Sequence, residues 1–245
     1  MAAPIALSVV IPARDEALRL PVTLQRVAGY LLARNIDYEI VVIDDGSTDA
    51  TGVHALATRT PGLVVETWAR NRGKGAAVRR GVELSRGARI LITDADLSTP
   101  IEQLEALEPR LAEAPLVYGS RSVAASRVLR RQPALRMTMG KCFNRLLRVL
   151  GVEGLVDTQC GFKLLDGEVG RELVPEIEIE GFAWDVELTW RARQRGLRIV
   201  EVGVVWRHCD DSKVSLTGDA WRMLVDVLRL RRRLGPPRQV GRVDD

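Results

Sequence analysis

The chain has few residues of the types that build disulfide frameworks, zinc sites or aromatic clusters. Three cysteines occur among 245 residues, and phenylalanine, tryptophan and tyrosine together make up 4% of the chain. Cys142, Cys160 and Cys209 are odd in number and widely separated, which is typical neither of a disulfide framework nor of a zinc site. They indicate a reducing compartment, and we interpret Cys160 as a packing residue.

Long apolar runs and a strong excess of one charge are also missing. No apolar run approaches the roughly 20 residues that span a bilayer, and the first residues do not form a basic-then-apolar signal segment. The formal net charge is +4, too small for this length to predict wholesale nucleic-acid binding. With 46% hydrophobic and 28% charged residues, the composition predicts a soluble or peripheral protein that buries a core.

Two common nucleotide-binding loops are absent from the sequence. No GxxxxGK[ST] loop occurs, because residues 71–75 (Asn-Arg-Gly-Lys-Gly) lack its spacing. No GxGxxG fingerprint follows the first predicted strand. These absences argue against an ATPase of the P-loop type and against a dinucleotide-dependent dehydrogenase.

Two carboxylates stand at the end of a short apolar run in residues 89–100. Residues 90–92 (Ile-Leu-Ile) predict a buried strand, and Asp94 and Asp96 follow it directly. Ligands of open α/β sheets bind outside the carboxyl ends of strands, and adjacent carboxylates repel each other unless a cation lies between them. Mg²⁺ typically binds one or two carboxylates plus substrate phosphates. The alternative is a loop whose aspartates cap a helix that begins near Pro100.

Strands and helices alternate through about residue 100. The apolar patterns predict strands at residues 6–11, 38–43 and 63–67, with Pro12 ending the first, and helices at 20–33 and 76–84. This alternation indicates a doubly wound, mostly parallel sheet flanked by helices. The second half is less regular, and its predicted segments are a strand at 116–121, an exposed mobile segment at 123–136, helices at 138–149, 182–195 and 216–234, a strand at 197–205 and a disordered tail at 235–245.

Charged residues of both signs collect at the predicted strand ends and the loops beside them. The acidic ones are Glu16, Asp44, Asp45, Asp94 and Asp96, and the basic ones are Arg70, Lys74, Arg121, Arg207 and Lys213. This mixture suits a nucleotide diphosphate held by a metal ion, with carboxylates left for the ribose or base. Two other classes stay open: a phosphatase, since Asp94-x-Asp96 is similar to an aspartyl-phosphate nucleophile loop, and a non-enzymatic sugar-nucleotide binding module.

The ordered motifs resemble those of the family 2 glycosyltransferases of the GT-A fold. The motifs are residues 8–13, 42–49, 73–75, 94–96, 119–121 and 157–163. The chain most resembles the dolichyl-phosphate β-glucosyltransferases and their polyprenyl-phosphate relatives, and next the dolichyl-phosphate mannose synthases. The resemblance covers about residues 6–215 and implies a catalytic domain over 1–215. One departure is Arg14-Asp15, where the family usually has Tyr-Asn.

The resemblance implies a role for each matching position. Pro12, Ala13 and Glu16 would border the base and ribose, Asp44 would read the base edge, and Asp45 and Lys74 would lie near the ribose and diphosphate. Asp94, Ala95 and Asp96 would hold the sugar nucleotide, with Mg²⁺ or Mn²⁺ bound by Asp94, Asp96 and Ser98. The residues implied for the acceptor phosphate are Arg121, Arg136, Arg207, Ser212 and Lys213. Asp157 matches the proposed general base, although it could instead orient the acceptor or the metal.

The implied reaction is inverting transfer of glucose from UDP-glucose to a polyprenyl or dolichyl phosphate. GDP-mannose is the alternative donor, and residues 159–163 (Gln-Cys-Gly-Phe-Lys) favour the glucosyl relatives. We interpret His208 as structural. Trp184 and Trp206 are typical core residues, with a wall for sugar or lipid as the alternative.

The helix predicted at residues 216–234 is the candidate membrane contact. Arg222, Asp226, Arg229 and Arg233 fall on one narrow face, and a wide apolar arc carries Trp221, Leu224, Val225, Leu228 and Leu230. Tryptophan and arginine suit a headgroup interface, so we expect a peripheral protein on the cytoplasmic face of a membrane. The alternative is that this helix packs on the domain core or on a partner subunit of a homo-oligomer.

Overall fold

The computed structural model describes residues 5–130, 145, 147, 155–208 and 218–236. Seven strands form the central sheet: β1 (Leu7–Ala13), β2 (Tyr38–Asp44), β3 (Leu63–Thr67), β4 (Arg89–Ile92), β5 (Leu116–Ser120), β7 (Lys163–Asp166) and β8 (Ile199–Gly203). Two further strands, β6 (Arg127–Arg130) and β9 (Val205–Arg207), pair in parallel beside it.

The strand order of the central sheet is β3-β2-β1-β4-β7-β5-β8. Every pair along it is parallel except the two that β7 makes, so β7 alone runs against the others. The carboxyl ends of β1, β2, β3, β4 and β5 therefore meet at one edge of the sheet. This arrangement confirms the prediction of a doubly wound, mostly parallel sheet flanked by helices.

Helices cover both faces of the sheet. They are α1 (Leu20–Ala33), α2 (Thr51–Ala57), α3 (Lys74–Leu84), α4 (Leu104–Leu107), α5 (Gly167–Leu173), α6 (Trp184–Gln194) and α7 (Gly218–Leu234), with 3₁₀ turns at Ile101–Gln103, Glu108–Ala112 and Val174–Glu176. Alternate side chains of the strands feed two apolar clusters, one packed under α1 and the other under α3 and α6. Because both faces are covered, β1 is buried along its whole length.

The strand β1 continues through Pro12 to Ala13, so the prediction that Pro12 ends it is wrong. β1 pairs with β2 as far as Ala13, but with β4 only as far as Val10. The carbonyl of Val10 accepts from Thr93 on the β4 side, and Pro12 faces the same side two residues later. Because β4 has already ended there, the missing N–H of Pro12 costs no ladder bond.

Two segments of the second half differ from their predictions. β7 lies between β4 and β5, where the sequence predicted no strand, and it opens with a fully buried lysine, Lys163. Four residues of the segment predicted to be mobile form β6, an exposed strand that pairs with β9. The predicted strand at 197–205 is divided into β8 and β9. Of the helix predicted at 138–149, the structure describes residues 145 and 147, and both are helical. Of the tail predicted at 235–245, residues 237–245 lie outside the described residues.

The helix α7 packs on the domain through one of its faces. Met223, Val227 and Leu230 are buried in a cluster with residues of α6. The carbonyl oxygens of Leu234 and Gly235 accept hydrogen bonds from Gln194 and Trp190 of α6. The alternative that this helix packs on the domain core is therefore correct for this face. No helix among the described residues is long and apolar enough to cross a membrane.

Candidate functional site

A cavity of about 1070 Å³ opens at the carboxyl edge of the sheet. Its walls come from the loops after β1, β2, β3 and β4, from the start of α3, from residues 178–182 and from α7. Eight residues of the predicted site line it: Pro12, Ala13, Glu16, Asp45, Lys74, Asp94, Ala95 and Asp96. Parallel strands thus bring together side chains that are more than 80 positions apart in the sequence.

Asp94 and Asp96 project from the loop that follows β4. The Lys74 Nζ lies 2.6 Å from Asp94 Oδ1, and Asp96 Oδ1 accepts a hydrogen bond of 2.8 Å from the Ser98 N–H. Directly after Asp96, Leu97 has a φ of 47°, a left-handed conformation that is uncommon for leucine and typical of functional loops. The loop is held in a strained form that presents both carboxylates at the cavity.

The Lys74–Asp94 pair keeps both groups charged. Burial opposes charge on each, but the attraction between the two outweighs it. The pKa of Asp94 therefore lies below its usual value and the pKa of Lys74 above its usual value. Lys74 therefore offsets the charge of the Asp94 carboxylate at the cavity.

These carboxylates fit a divalent ion that arrives with a diphosphate. No cluster of three or more His, Cys, Asp or Glu side chains suited to a metal ion occurs in the described part of the chain. Mg²⁺ and similar hard ions can be bound by one or two carboxylates together with substrate phosphates, which Asp94 and Asp96 can supply. Ser98, the third predicted ligand, is buried and does not line the cavity.

Asp45 holds the loop between β3 and α3 against the cavity. Its carboxylate accepts from the N–H groups of Arg72 (2.6 Å) and Gly73 (2.9 Å) and from Asn71 Nδ2 (3.1 Å). Burial raises the pKa of Asp45, while the two backbone donors act in the opposite direction. Gly73 has a φ of 107°, so glycine is required where this loop turns into α3.

Asp44 lies behind the cavity wall and does not line it. Its Oδ1 accepts from the N–H and the hydroxyl of Ser47, and its Oδ2 accepts from the Gly52 N–H at 3.1 Å. The carboxylate thereby fixes the turn at Gly46 and the first turn of α2. A contact between Asp44 and a nucleotide base would require one of these bonds to be given up.

Arg121 and Asp157 form a two-pronged ion pair beyond the end of β5. Arg121 Nε and Nη2 each lie 2.7 Å from a different oxygen of Asp157, and the Arg121 N–H donates to the same carboxylate at 2.9 Å. Burial opposes ionisation, but Arg121 outweighs it and the pKa of Asp157 lies below its usual value. Both prongs of this guanidinium are already engaged, and neither residue lines the cavity.

A third charged pair, Lys163 and Asp185, is buried near both the Lys74–Asp94 pair and the Arg121–Asp157 pair. Lys163 Nζ donates to the carbonyl oxygens of Thr158 (2.9 Å) and Cys160 and lies 4.0 Å from Asp185 Oδ2. The other oxygen of Asp185 has no partner in the described residues. Burial raises the pKa of Asp185 to about 6, against the opposite influence of Lys163 and Lys74. Lys163 thus fixes the loop that carries Asp157.

Gly161 brings the loop of Asp157 into direct contact with Asp94. A Cβ atom at Gly161 would overlap the Asp94 carboxylate, so any side chain there would displace it. The loop of residues 157–163 therefore contacts the loop of residues 94–96 at Gly161, where only glycine is small enough to fit.

The remaining predicted site residues lie apart from the cavity or outside the described residues. The Arg207 N–H donates to the Ser98 carbonyl at 2.8 Å, and its side chain is exposed. Trp206 lies beside Arg121, whose guanidinium carbon is 5.6 Å from the ring centre, and it stacks on His208. Trp184 is a core residue. Arg136, Ser212 and Lys213 belong to segments that the structure does not describe.

Several residues of the site were not predicted from the sequence. Lys163 and Asp185 stand within otherwise apolar stretches, which was an available signal for buried charge. The stripe of Arg222, Asp226, Arg229 and Arg233 on α7 lines the cavity, although no pattern in the sequence indicates what it faces.

Comparisons with known proteins agree with this geometry. Residues 8–173 match glycosyl transferase family 2. The chain is 35% identical over 240 residues to the dolichyl-phosphate beta-glucosyltransferase of Dictyostelium discoideum, covering 92% of this chain and 73% of that protein. It is 37% identical over 243 residues to the dolichyl-phosphate beta-glucosyltransferase of Mus musculus, covering 93% and 75%.

A solved structure supports the fold. The glucosyl-3-phosphoglycerate synthase of Mycobacterium tuberculosis, in complex with Mn²⁺, UDP-glucose and phosphoglyceric acid, superposes with a TM-score of 0.72 at 21% identity. The match covers 96% of this chain and 82% of that one. The sheet order, the cavity at its carboxyl edge and the matched residues lead to one conclusion: this chain belongs to glycosyl transferase family 2 and has the GT-A fold.

Proposed function

We propose that this protein transfers glucose from UDP-glucose to a polyprenyl or dolichyl phosphate and forms a β-linked lipid phosphosugar. The observation that carries the proposal is the placement of Asp45, Lys74, Asp94 and Asp96 around one cavity, in a chain similar to dolichyl-phosphate beta-glucosyltransferases. Carboxylates and a lysine at the ends of neighbouring strands suit a nucleotide diphosphate with a metal ion. GDP-mannose is the alternative donor.

The donor would lie in the part of the cavity that is lined by β1, the start of α3 and the loop after β4. Pro12, Ala13 and Glu16 border the space for base and ribose, and Lys74 lies where it can also contact a diphosphate. Asp94 and Asp96 would hold Mg²⁺ or Mn²⁺, and the similar structure that contains Mn²⁺ and UDP-glucose supports this choice. When bound, the ion would supply Lewis-acid stabilisation of the departing diphosphate.

The acceptor needs orientation more than deprotonation. A phosphate monoester has a second pKa near about 6, so most of it is ionised at neutral pH before it attacks the anomeric carbon. Asp157 is 1% exposed, has a lowered pKa and is bound to Arg121 by two prongs, which makes it a poor proton acceptor. We assign to Asp157 the role of holding Arg121 and its loop in place.

A donor screen tests the proposed reaction. We expect transfer from UDP-glucose, and less from GDP-mannose, to a short polyprenyl phosphate, with loss of turnover in EDTA and recovery with Mg²⁺ or Mn²⁺. A phosphatase would instead release phosphate from p-nitrophenyl phosphate, and a binding module would bind the sugar nucleotide without turnover. Equal or greater turnover with GDP-mannose would contradict UDP-glucose as the donor. Transfer that is insensitive to EDTA would contradict the proposed metal ion.

We also propose that the protein binds the surface of a membrane through α7. Trp221 is 65% exposed and Leu228 is 42% exposed, on the side of the helix opposite to Met223, Val227 and Leu230. The exposed Arg231 and Arg232 follow on the same outer side. The helix therefore has a second apolar face with basic residues at its end, a combination that suits an anionic lipid interface. A homo-oligomer is the alternative partner for this face.

Liposome co-sedimentation tests this contact. We expect Trp221→Ser with Leu228→Ser to reduce binding to anionic vesicles about tenfold, since each change removes apolar burial. Binding of the wild-type protein should also weaken with salt. As the matched control, Val53→Ser with Leu56→Ser changes two exposed apolar residues of α2 and should bind as the wild type does. If the Trp221 and Leu228 variant binds vesicles as well as the wild type does, the membrane contact is contradicted, and a partner subunit becomes the better explanation of this face.

A further inference from the structure

The helix α7 turns a stripe of charged side chains toward the cavity of the active site. Arg222, Asp226, Arg229 and Arg233 recur at intervals of three and four residues, so they share one helical face, and all four line the cavity. This face lies between the buried face and the outer apolar face of the same helix. The stripe is therefore part of the wall that a substrate would meet.

Most cationic side chains of this cavity are already bound to carboxylates. Lys74 is paired with Asp94, Arg19 with Glu16 at 2.6 Å, and Arg233 with Glu178 and Glu187. By contrast, Arg222 and Arg229 form no hydrogen bond or ion pair with any side chain that the structure describes, and Asp226 is the acidic group whose charge they attract. They leave two guanidinium groups on the cavity wall available to an anion.

We propose that Arg222 and Arg229 form a binding site for the phosphate of the lipid acceptor. The proposal rests on the proposed function, because it assigns the acceptor of that same reaction. An acceptor phosphate carries a charge of roughly −1.5 to −2 at neutral pH, which two guanidinium groups can match. Arginine also supplies a planar fork of donors that fits phosphate oxygens.

The surroundings favour the acceptor over the donor as the bound phosphate. Lys74, Asp94 and Asp96 occupy the part of the cavity suited to the donor, on the loops of α3 and β4. The two arginines lie on α7 beside the exposed Trp221 and Leu228, where an apolar chain can leave the site. Arg121, predicted to bind this phosphate, is already engaged by Asp157. Unlike Arg222 and Arg229, it does not line the cavity.

Asp226 lies between the two arginines and opposes the binding of an anion. Its side chain is half-buried, and the positions of Arg222 and Arg229 are four residues before it and three after it. The α-helical rise separates the two arginines by about 10 Å along the axis, and long side chains can close this gap from both ends. Removal of the Asp226 charge should strengthen phosphate binding, while removal of the arginines should weaken it.

The test uses a double variant of the full chain that carries both Arg222→Gln and Arg229→Gln. It is compared with the wild-type protein, both in detergent. We expect the KM for a short polyprenyl phosphate to rise about tenfold, as two charge-assisted hydrogen-bonding groups are lost, with the KM for the sugar nucleotide unchanged. Asp226→Asn should lower the acceptor KM, and the double lysine variant should recover most of the loss. The matched control is Arg198→Gln, an exposed arginine outside the cavity, which should behave as the wild type.

Calorimetric titration with the same short polyprenyl phosphate separates this proposal from the proposed function. If the wild-type protein binds that phosphate and the double glutamine variant does not, the site is supported even where no glucose is transferred. An equal rise in both KM values, a rise in the donor KM alone, or unchanged binding would overturn the proposal. Loss of anionic vesicle binding with an unchanged acceptor KM would also overturn it, because the arginines would then bind lipid headgroups.

Discussion

The two edges of the central sheet use charged residues in opposite ways. At the amino edge, the Glu39 carboxylate is 2% exposed and accepts from Ser8 Oγ at 2.7 Å and from Arg86 Nη2 at 2.7 Å. The Arg86 N–H donates to the same carboxylate, and Ser8 Oγ accepts from Gly87. Both oxygens of the Glu39 carboxylate and the Ser8 hydroxyl have partners within the fold, so this group contributes to stability.

At the carboxyl edge, carboxylates face a cavity, and a buried one beside them is only partly matched. Lys74 neutralises Asp94, while Asp185 keeps one buried oxygen without a partner in the described residues. Leu97 is strained at the same edge. Such an arrangement costs stability unless a ligand completes it. Complete pairing is thus a sign of structure, and incomplete pairing beside a cavity is a sign of function.

The largest effect should come from breaking the carboxyl edge at Asp96. We expect Asp96→Ala to reduce kcat about a thousandfold, because the carboxylate proposed to hold the metal is lost. Its free energy of unfolding should match that of the wild type, since Asp96 supports little of the packing. Steady-state kinetics with thermal denaturation measure both. Turnover near that of the wild type would remove Asp96 from the metal site.

The pH dependence of stability should reveal Asp185. Its pKa is raised to about 6 in the folded state, so the folded protein holds the proton more tightly than the unfolded chain does. Stability from this group is present at low pH and is lost as pH rises through about 6, by about 3 kcal/mol in total. The difference in unfolding free energy between the wild type and Asp185→Asn should change by most of this amount between pH 4 and pH 7. A difference that is constant with pH would contradict the assignment.

A smaller effect should come from breaking the amino edge at Glu39. We expect Glu39→Gln to lower the free energy of unfolding by about 2 kcal/mol, a reduced value because Arg86 is largely exposed to solvent. The KM values and kcat should not change, since this edge lies away from the cavity. Urea denaturation and steady-state kinetics give the two readouts. A loss of activity without loss of stability would mean that the two edges are not distinct.

The strand ends at the carboxyl edge could be predicted because their signals are local. An apolar run followed by Asp44 and Asp45, or by Asp94 and Asp96, indicates both the strand and the side chains that leave it. The helix α1 was predicted with the bounds that the structure has, as its apolar spacing is continuous over residues 20–33. These elements also place eight of the predicted site residues around the cavity.

The rest depends on partners that are distant in the sequence. Lys163 opens β7 in the core, because its charge is satisfied by carbonyl groups of its own loop and by Asp185, 22 positions later. Arg121 is bound by Asp157, 36 positions away. The sequence pattern around each residue does not indicate which distant residue it pairs with. The spacing on α7 gave its charged face correctly, but only the packing on α6 determines that this face meets the cavity.

The placement of α7 has a consequence for how such enzymes diversify. Half of the residues that line the cavity lie beyond residue 173, where the match to the family ends. The part that matches the family model contains the acidic loops, while the wall contributed by α7 lies outside that match. Because the phosphate site proposed above lies on α7, exchange of this helix between homologues should change the acceptor and leave the acidic loops as they are.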